Sequence, residues 1–392
     1  MSACARRDLA GPGCLLVGVF AHGLAGCSAP SPGGVESPVA QTRAPLVVAE
    51  RGPSGGRLVA IDETGDRLFD VVAVPAAIIR DTNPAISPDG KWLVFASSRG
   101  RGIEETSLWL APLGVEVAPT QITRPAGKAV DTHPAWSRDG GAIVFASTRA
   151  GSFDLWRVTF EAPAGAPRVG EPEQLTSSPD QELTPSTAPD GSIAYASLRV
   201  AERGQDAVKA PDGASEIHAR IEVRRPDGTI AALTEGPGDG SPSYSPDGSQ
   251  LAWNRPKLRA RGVDSDLWVM PAKGGEGKVL LEVAGTDESG PVWSRDGRHL
   301  FATSLLRGAD GRPVFSSVIF VELAAPTPVA RVLMDRLGAV ARLTPALSDV
   351  PLRDAILRQR PEYLSTLRDV LRRAIEASPP KELRDASAAE PR

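Results

Sequence analysis

His133-Pro134-Ala135-Trp136-Ser137-Arg138-Asp139-Gly140 decides how this chain is read, because the stretch recurs along it. It returns as Asn83-Pro84-Ala85-Ile86-Ser87-Pro88-Asp89-Gly90 and as Thr184-Pro185-Ser186-Thr187-Ala188-Pro189-Asp190-Gly191. Two further copies are Ser241-Pro242-Ser243-Tyr244-Ser245-Pro246-Asp247-Gly248 and Gly290-Pro291-Val292-Trp293-Ser294-Arg295-Asp296-Gly297. Successive aspartates lie 50, 51, 57 and 49 residues apart. Self-similarity at that period marks stacked supersecondary units, and propeller blades have about this length.

Each copy has the chemistry of a blade. A short strand ends at the Asp-Gly pair, where Asp accepts local backbone hydrogen bonds and Gly supplies the left-handed conformation of a tight reversal. Second strands follow at Trp92–Ser97, Ala142–Ser147, Ile193–Ser197, Leu251–Arg255 and Leu300–Ser304. Third strands are carried by Leu108-Trp109-Leu110, Leu155-Trp156-Arg157, Ile217–Arg225, Leu267-Trp268-Val269 and Val318–Leu323. Fourth strands end in Gln121-Ile122-Thr123, Gln174-Leu175-Thr176, Ala232-Leu233-Thr234, Val279–Val283 and Arg331–Met334. Four short strands per unit, with turn signals between them, indicate an all-β propeller rather than a sandwich.

The order Pro-x-Trp-Ser-x-Asp-Gly, Phe-Ala-Ser-x-Arg, Asp-Leu-Trp and Leu-Thr resembles the repeat of TolB-type propellers, the WD40-like PD40 repeat. It is met in Pro134–Gly140, Phe145–Arg149, Asp154–Trp156 and Leu175–Thr176. The resemblance spans roughly residues 45–350. It implies a binding propeller whose channel mouth docks a partner, as TolB docks a peptidoglycan-associated lipoprotein. TolB also carries an N-terminal α/β domain, which is not expected here because about 17 residues separate Cys27 from the first strand.

Leu46–Glu50, Arg57–Ile61 and Arg67–Val72 read as strands two to four of a further blade. Its first strand is expected from the other end of the chain, where Thr344-Pro345-Ala346-Leu347-Ser348 matches Asn83–Ser87. Six blades follow, closed by residues near 343–348, which removes the exposed edges of an open ring. Beyond the ring, in residues 351–378, Glu362–Glu376 reads as an amphipathic helix with Leu364, Leu367, Val370, Leu371 and Ile375 on one face. It either packs on the propeller or meets a partner or membrane. Residues 379–392 read as a disordered tail.

All the cysteines, Cys4, Cys14 and Cys27, lie at the N-terminus. Arg6 and Arg7 precede an apolar run from Leu9 to Ala25, the pattern of a secretory signal over residues 1–26. Its end, Leu24-Ala25-Gly26-Cys27, resembles a bacterial lipobox, which implies lipidation of Cys27; an ordinary cleaved signal is the alternative. Residues 27–44, rich in Ser, Pro and Gly, read as a tether. The expected location is the bacterial cell envelope, lipid-anchored, with Ser28 favouring the outer membrane.

A net charge of −4 with mixed signs argues against nucleic acid. The loops leading into the first strands are acidic, at Asp81, Asp131, Asp180 with Glu182, Asp239, and Asp287 with Glu288. Those joining strands two and three are basic, at Arg99, Arg149 and Arg255 among others, with long insertions at about 200–214 and 255–264. With His133 these residues form the candidate binding face for an envelope protein or a peptidoglycan or polysaccharide partner. The alternative is that Asp and Arg pair within blades as structural residues. Trp109, Trp156 and Trp268 read as inter-blade core, while Trp136 and Trp293 are more open to a ligand role. The histidines are scattered, and the chain has no nucleophile elbow, Walker loop or EF-hand loop. A non-catalytic monomer without metal or cofactor is expected, with an envelope enzyme or carbohydrate-binding propeller as the alternative.

Overall fold

The turn chemistry of the repeat builds one antiparallel unit again and again. The computed structural model describes residues 46–52, 55–61, 67–70, 72, 79–113, 118–199, 218–236, 238–259, 262–283, 285–307, 313–323, 330–336 and 340–345. Apart from a 3-10 turn at Pro163–Gly165, the described residues form strands and turns only. The expected helix at 362–376, the segment 1–45 with Cys27, and the tail lie outside the described residues.

Innermost to outermost, unit two is Ile79–Ile86, Trp92–Ser97, Ser107–Pro112 and Thr120–Gln121. Unit three is Asp131–Trp136, Ala142–Ser147, Asp154–Glu161 and Glu173–Gln174, with Arg168–Val169 also on its outer edge. Unit four is Gln181–Thr187, Ile193–Arg199, His218–Arg224 and Ile230–Ala232. Unit five is Gly240–Tyr244, Gln250–Arg259, Gly262–Pro271 and Lys278–Leu281, and unit six is Thr286–Trp293, His299–Arg307, Pro313–Glu322 and Ala330–Arg336. Each resembles a propeller blade. Isolated parallel bridges join unit five to six at Ser265–Asp287 and unit one to two at Gly55–Ile79 and Gly56–Arg80.

Unit one draws on both ends of the described chain. Leu46–Gly52, Gly55–Ile61 and Arg67–Asp70 are completed by Val340–Pro345, which pairs antiparallel with the first of them. Leu46 faces Pro345, Val47 faces Thr344 and Val48 faces Leu343. The innermost strands then neighbour one another in the cyclic order of units one to six and back to one.

The Asp-Gly turns follow one plan. Ser87, Ser137, Ser245 and Ser294 each donate to the aspartate two residues on, at 2.6, 2.6, 2.6 and 2.5 Å. The same carboxylates accept the backbone N–H of Lys91, Gly141, Ser249 and Arg298. Gly90, Gly140, Gly248 and Gly297 take φ of 73, 74, 71 and 69°, the left-handed region that favours glycine. Hydrogen bonds to the charged form hold the Asp247 carboxyl down at about 2, those from Ser245 and Ser249 foremost. The Leu-Thr motif closes a unit: Thr123, Thr176 and Thr234 are buried, and their hydroxyls accept the N–H of Leu108, Leu155 and Ile221 on the third strand.

The core lies between units. Trp92, Val94 and Leu110 of unit two pack with Trp136, Ile143, Phe145 and Phe160 of unit three. Ala194, Ala196 and Ile221 of unit four pack with Tyr244, Leu251 and Trp253 of unit five. Burial on both sides explains second strands with no polar alternation, such as Trp-Leu-Val-Phe-Ala-Ser at Trp92–Ser97. Trp109, Trp156 and Trp268 flank these clusters as partly buried members.

The sequence reading ends the second strand of unit five at Arg255 and treats 255–264 as an insertion. The structure instead continues the hairpin to the Arg259–Gly262 pair. Pro256 reads as a strand breaker, yet Arg255 faces Asp266 and Lys257 faces Asp264 across the ladder, opposite charges that favour pairing. The other insertion, about 200–214, lies outside the described residues.

Candidate functional site

At the end where loops lead into the innermost strands, the recurrent acids and bases meet inside the units. Asp81 accepts from Arg99 at 2.6 Å, Asp131 from Arg149 at 2.6 Å, and Asp239 from Arg255 at 2.6 and 2.7 Å. The three carboxylates are buried. Each guanidinium also lies against two aromatic rings, one from the second strand and one from the third. Arg99 is 5.5 Å from Phe95 and 5.9 Å from Trp109, and Arg149 is 5.6 Å from Phe145 and 5.2 Å from Trp156. Arg255 is 5.5 Å from Trp253 and 4.6 Å from Trp268. Cation–π attraction and a fork-shaped ion pair therefore hold the same side chain.

Unit five reaches this arrangement by a different route. Asp81 and Asp131 face Ser97 and Ser147, and the arginine comes two residues later. In unit five the arginine itself takes the serine's place, beside Asn254, which faces Gly240. Burial tends to raise the Asp81 carboxyl above its usual range and outweighs the nearby Arg99 charge.

Units four and six depart from the plan. Glu182 faces Ser197 where the aspartates stand elsewhere, but Tyr195 faces Glu222 in place of a tryptophan. Glu222 is taken by Arg220 at 2.5 Å, and Arg199 turns outward, 63% exposed, toward Asp180 at 3.7 Å. Glu182 accepts from Thr176 instead, and burial pushes its carboxyl up. In unit six Glu288, not Asp287, faces Ser304 and occupies the repeated acidic place. Asp287 is half-buried one residue earlier. Ala302 and Ile319 replace the aromatic pair, and Leu306 stands where the arginine would be. Glu288 has hydroxyl partners, Thr286 at 2.5 Å and Ser304 at 2.9 Å, and burial pushes its carboxyl up to about 7.

A second feature occupies the channel between the innermost strands. Each X-Pro step carries a bulge with X at positive φ: Asn83 at 52°, His133 at 49°, Thr184 at 53°, Ser241 at 48° and Gly290 at 60°. The ladders shift register at these steps in all five units. A residue before proline is pushed toward extended backbone, so a left-handed conformation repeated there is a strained feature held by its surroundings. These residues line a cavity of about 280 Å³ that runs on to the Asp-Gly turns. Trp136 and Trp293 border it, buried, their indole N–H groups donating to the carbonyls of Ala85 and Ser243 in the preceding unit, each at 2.9 Å.

Of this lining the sequence singles out His133, Trp136 and Trp293, but not Arg138 and Arg295. The signal was present in the variable position of Ser-x-Asp-Gly. Where x is proline it lies beside the glycine of the next turn: a Cβ on Gly140, Gly248 or Gly297 would sit 3.7, 2.6 or 3.7 Å from Pro88, Pro189 or Pro246. In units three and six x is arginine. Arg138 instead donates to the carbonyls of Thr187 at 3.0 Å, Tyr244 at 3.0 Å and Ser245 at 3.2 Å, linking unit three to units four and five.

Among the described residues no three His, Cys, Asp or Glu side chains cluster as metal ligands, and no helix is long and apolar enough to cross a membrane. The architecture defines a class, an all-β protein of propeller-like sheets around a lined channel. No family model matches the chain, and no curated protein matches its sequence. Among solved structures it is similar to a TolB-assigned protein from Agrobacterium tumefaciens, at 18% identity and a TM-score of 0.51, covering 76% of this chain and 91% of that one. TolB from Acinetobacter baumannii is similar at 17% identity and a TM-score of 0.56, covering 77% of this chain and 66% of that one. Hydrazine synthase from Kuenenia stuttgartiensis is similar at 14% identity and a TM-score of 0.54, covering 79% of this chain and 48% of that one. Fold likeness of this kind reaches both binding proteins and enzymes, so function rests on the site.

Proposed function

We propose that the chain is a six-bladed ring closed by Val340–Pro345, lipid-anchored at Cys27 in the bacterial cell envelope, and that it binds an envelope protein or polymer without catalysis. The observation that carries the reading is the threefold Asp–Arg–aromatic cage at the leading-loop end. In units two, three and five the buried acids there are held in fixed pairs with arginine, and in units four and six Glu182 and Glu288 are held by hydroxyls, which supports a rigid, preformed platform. Preorganisation lowers the ordering cost of association. Exposed charges of both signs also stand at this end in surface ion pairs, Glu104 with Arg80, Arg199 with Asp180 and Lys257 with Glu282, at 73, 63 and 47% exposure for Glu104, Arg199 and Lys257. Mixed rim charges set partner choice and on-rate more than raw affinity.

Crosslinking in intact cells followed by mass spectrometry tests the reading. The wild-type chain is expected to yield a defined protein or peptidoglycan adduct, and acyl chains on Cys27. The double variant Arg199→Glu, Lys257→Glu is expected to lose the adduct while remaining folded. Turnover of a captured glycan, or adducts indifferent to the two reversals, contradicts it.

A further inference from the structure

The channel cavity is lined by Arg138 and Arg295, with no carboxylate among the described residues of its lining. This is unusual in a chain whose other recurrent arginines sit on buried acids. The nearest aspartates, Asp139 and Asp296, are committed to their own turns, through Ser137 and Gly141 in one case and Ser294 and Arg298 in the other. Arg138 meets only carbonyl dipoles, and neither arginine has a carboxylate partner among the described residues. Partial burial of the guanidinium lowers the Arg138 pKa by desolvation.

Placement brings the two cations to one mouth. Units three and six are three steps apart in the cyclic order, so their turns face each other across the channel. Arg138 reaches toward unit five, which neighbours unit six and Arg295. Both side chains remain open to solvent. Behind them, the Thr184 hydroxyl is buried in the lining and has no hydrogen-bond partner among the described residues. A buried donor left unmade is costly, and two guanidinium forks match the geometry of oxyanions.

We propose that the turn end of the channel binds a small multivalent oxyanion, a polycarboxylate or a phosphate, between Arg138 and Arg295, with the Thr184 hydroxyl as a neutral donor deeper in. The site lies at the other end of the ring from the partner platform and does not depend on it.

Isothermal titration of the full chain with citrate, and separately with inorganic phosphate, at ionic strength matched with sodium chloride, tests the site. At least one probe is expected to saturate with a Kd on the order of 1 mM or tighter, and which one does so assigns carboxylate or phosphate chemistry. Arg295→Gln breaks no described hydrogen bond, so it is expected to keep the wild-type unfolding temperature and weaken binding roughly tenfold. Arg138→Lys keeps the charge but not the fork, and is expected to weaken binding less than Arg295→Gln. Failure of both probes to bind the wild-type chain, or wild-type affinity in Arg295→Gln, overturns the proposal.

Discussion

Arg149 donates to Asp131 at 2.6 Å while its guanidinium carbon lies 5.2 Å from the Trp156 ring, so one side chain joins the innermost strand of unit three to the third. Asp131 is fully enclosed and Arg149 is 17% exposed. The pair thus ties a strand at the channel to one near the rim.

Breaking that pair leaves a charge enclosed without its partner. Asp131→Asn is expected to lower the unfolding free energy by about 3 kcal/mol. Arg149→Lys keeps the charge but loses fork and stacking, and is expected to lower it by about 1 kcal/mol. Urea denaturation measures both. Equal losses would mean that charge alone, not the shape of the guanidinium, matters there.

The turns give a graded comparison. Gly140 and Gly248 share a left-handed φ, 74 and 71°, but a Cβ would meet Pro88 at 3.7 Å in the first case and Pro189 at 2.6 Å in the second. Gly140→Ala is expected to lose about 1 kcal/mol for the backbone alone. Gly248→Ala is expected to lose a further 1 to 2 kcal/mol, roughly, for the overlap with the neighbouring turn. Matching losses in thermal or urea unfolding would contradict contact between successive turns.

Glu288 makes stability depend on pH in a defined direction. Burial pushes its folded carboxyl up to about 7 from an ordinary value of 4.5, so between the two the folded chain holds a proton that the unfolded chain releases. Stability from this group is therefore greatest below the unfolded value, declines as pH rises through the window between the two, and levels off above the folded value. Glu288→Gln removes the titration and is expected to raise stability at pH 8 by up to about 3 kcal/mol relative to wild type, with little difference at pH 4. Parallel stability–pH curves for the two proteins would contradict the assignment.

Ring closure is tested by length. Ending the chain before Val340 removes the partner of Leu46–Gly52 and opens an unpaired edge. The melting temperature is expected to fall by roughly 5 °C or more.

Much of the fold is legible in the repeat because turn chemistry is local. Ser137, Asp139 and Gly140 determine their own hairpin within a few residues, and Thr176 closes its unit by one bond to Leu155. The matching strand at the far end of the chain could be found because Thr344-Pro345 repeats Asn83-Pro84. What escaped depends on register and on neighbours in space. Whether Asp287 or Glu288 takes the acidic place is settled by which faces Ser304. Arg255 completes a cage from a position where other units have serine, which spacing alone does not reveal. Arg138 stands in the turn that marks the fold, and only the cross-channel bonds to Thr187, Tyr244 and Ser245 separate it from the prolines that replace it elsewhere.

The proposed function depends most directly on which end of the innermost strands meets a partner. A photo-crosslinking residue placed in live cells at Glu104 or Lys257, at the leading-loop end, and in parallel at Asp247 in a turn, measures this. Partner adducts are expected from the first two positions and none from the third. Adducts from Asp247 alone, or from no position, would contradict it.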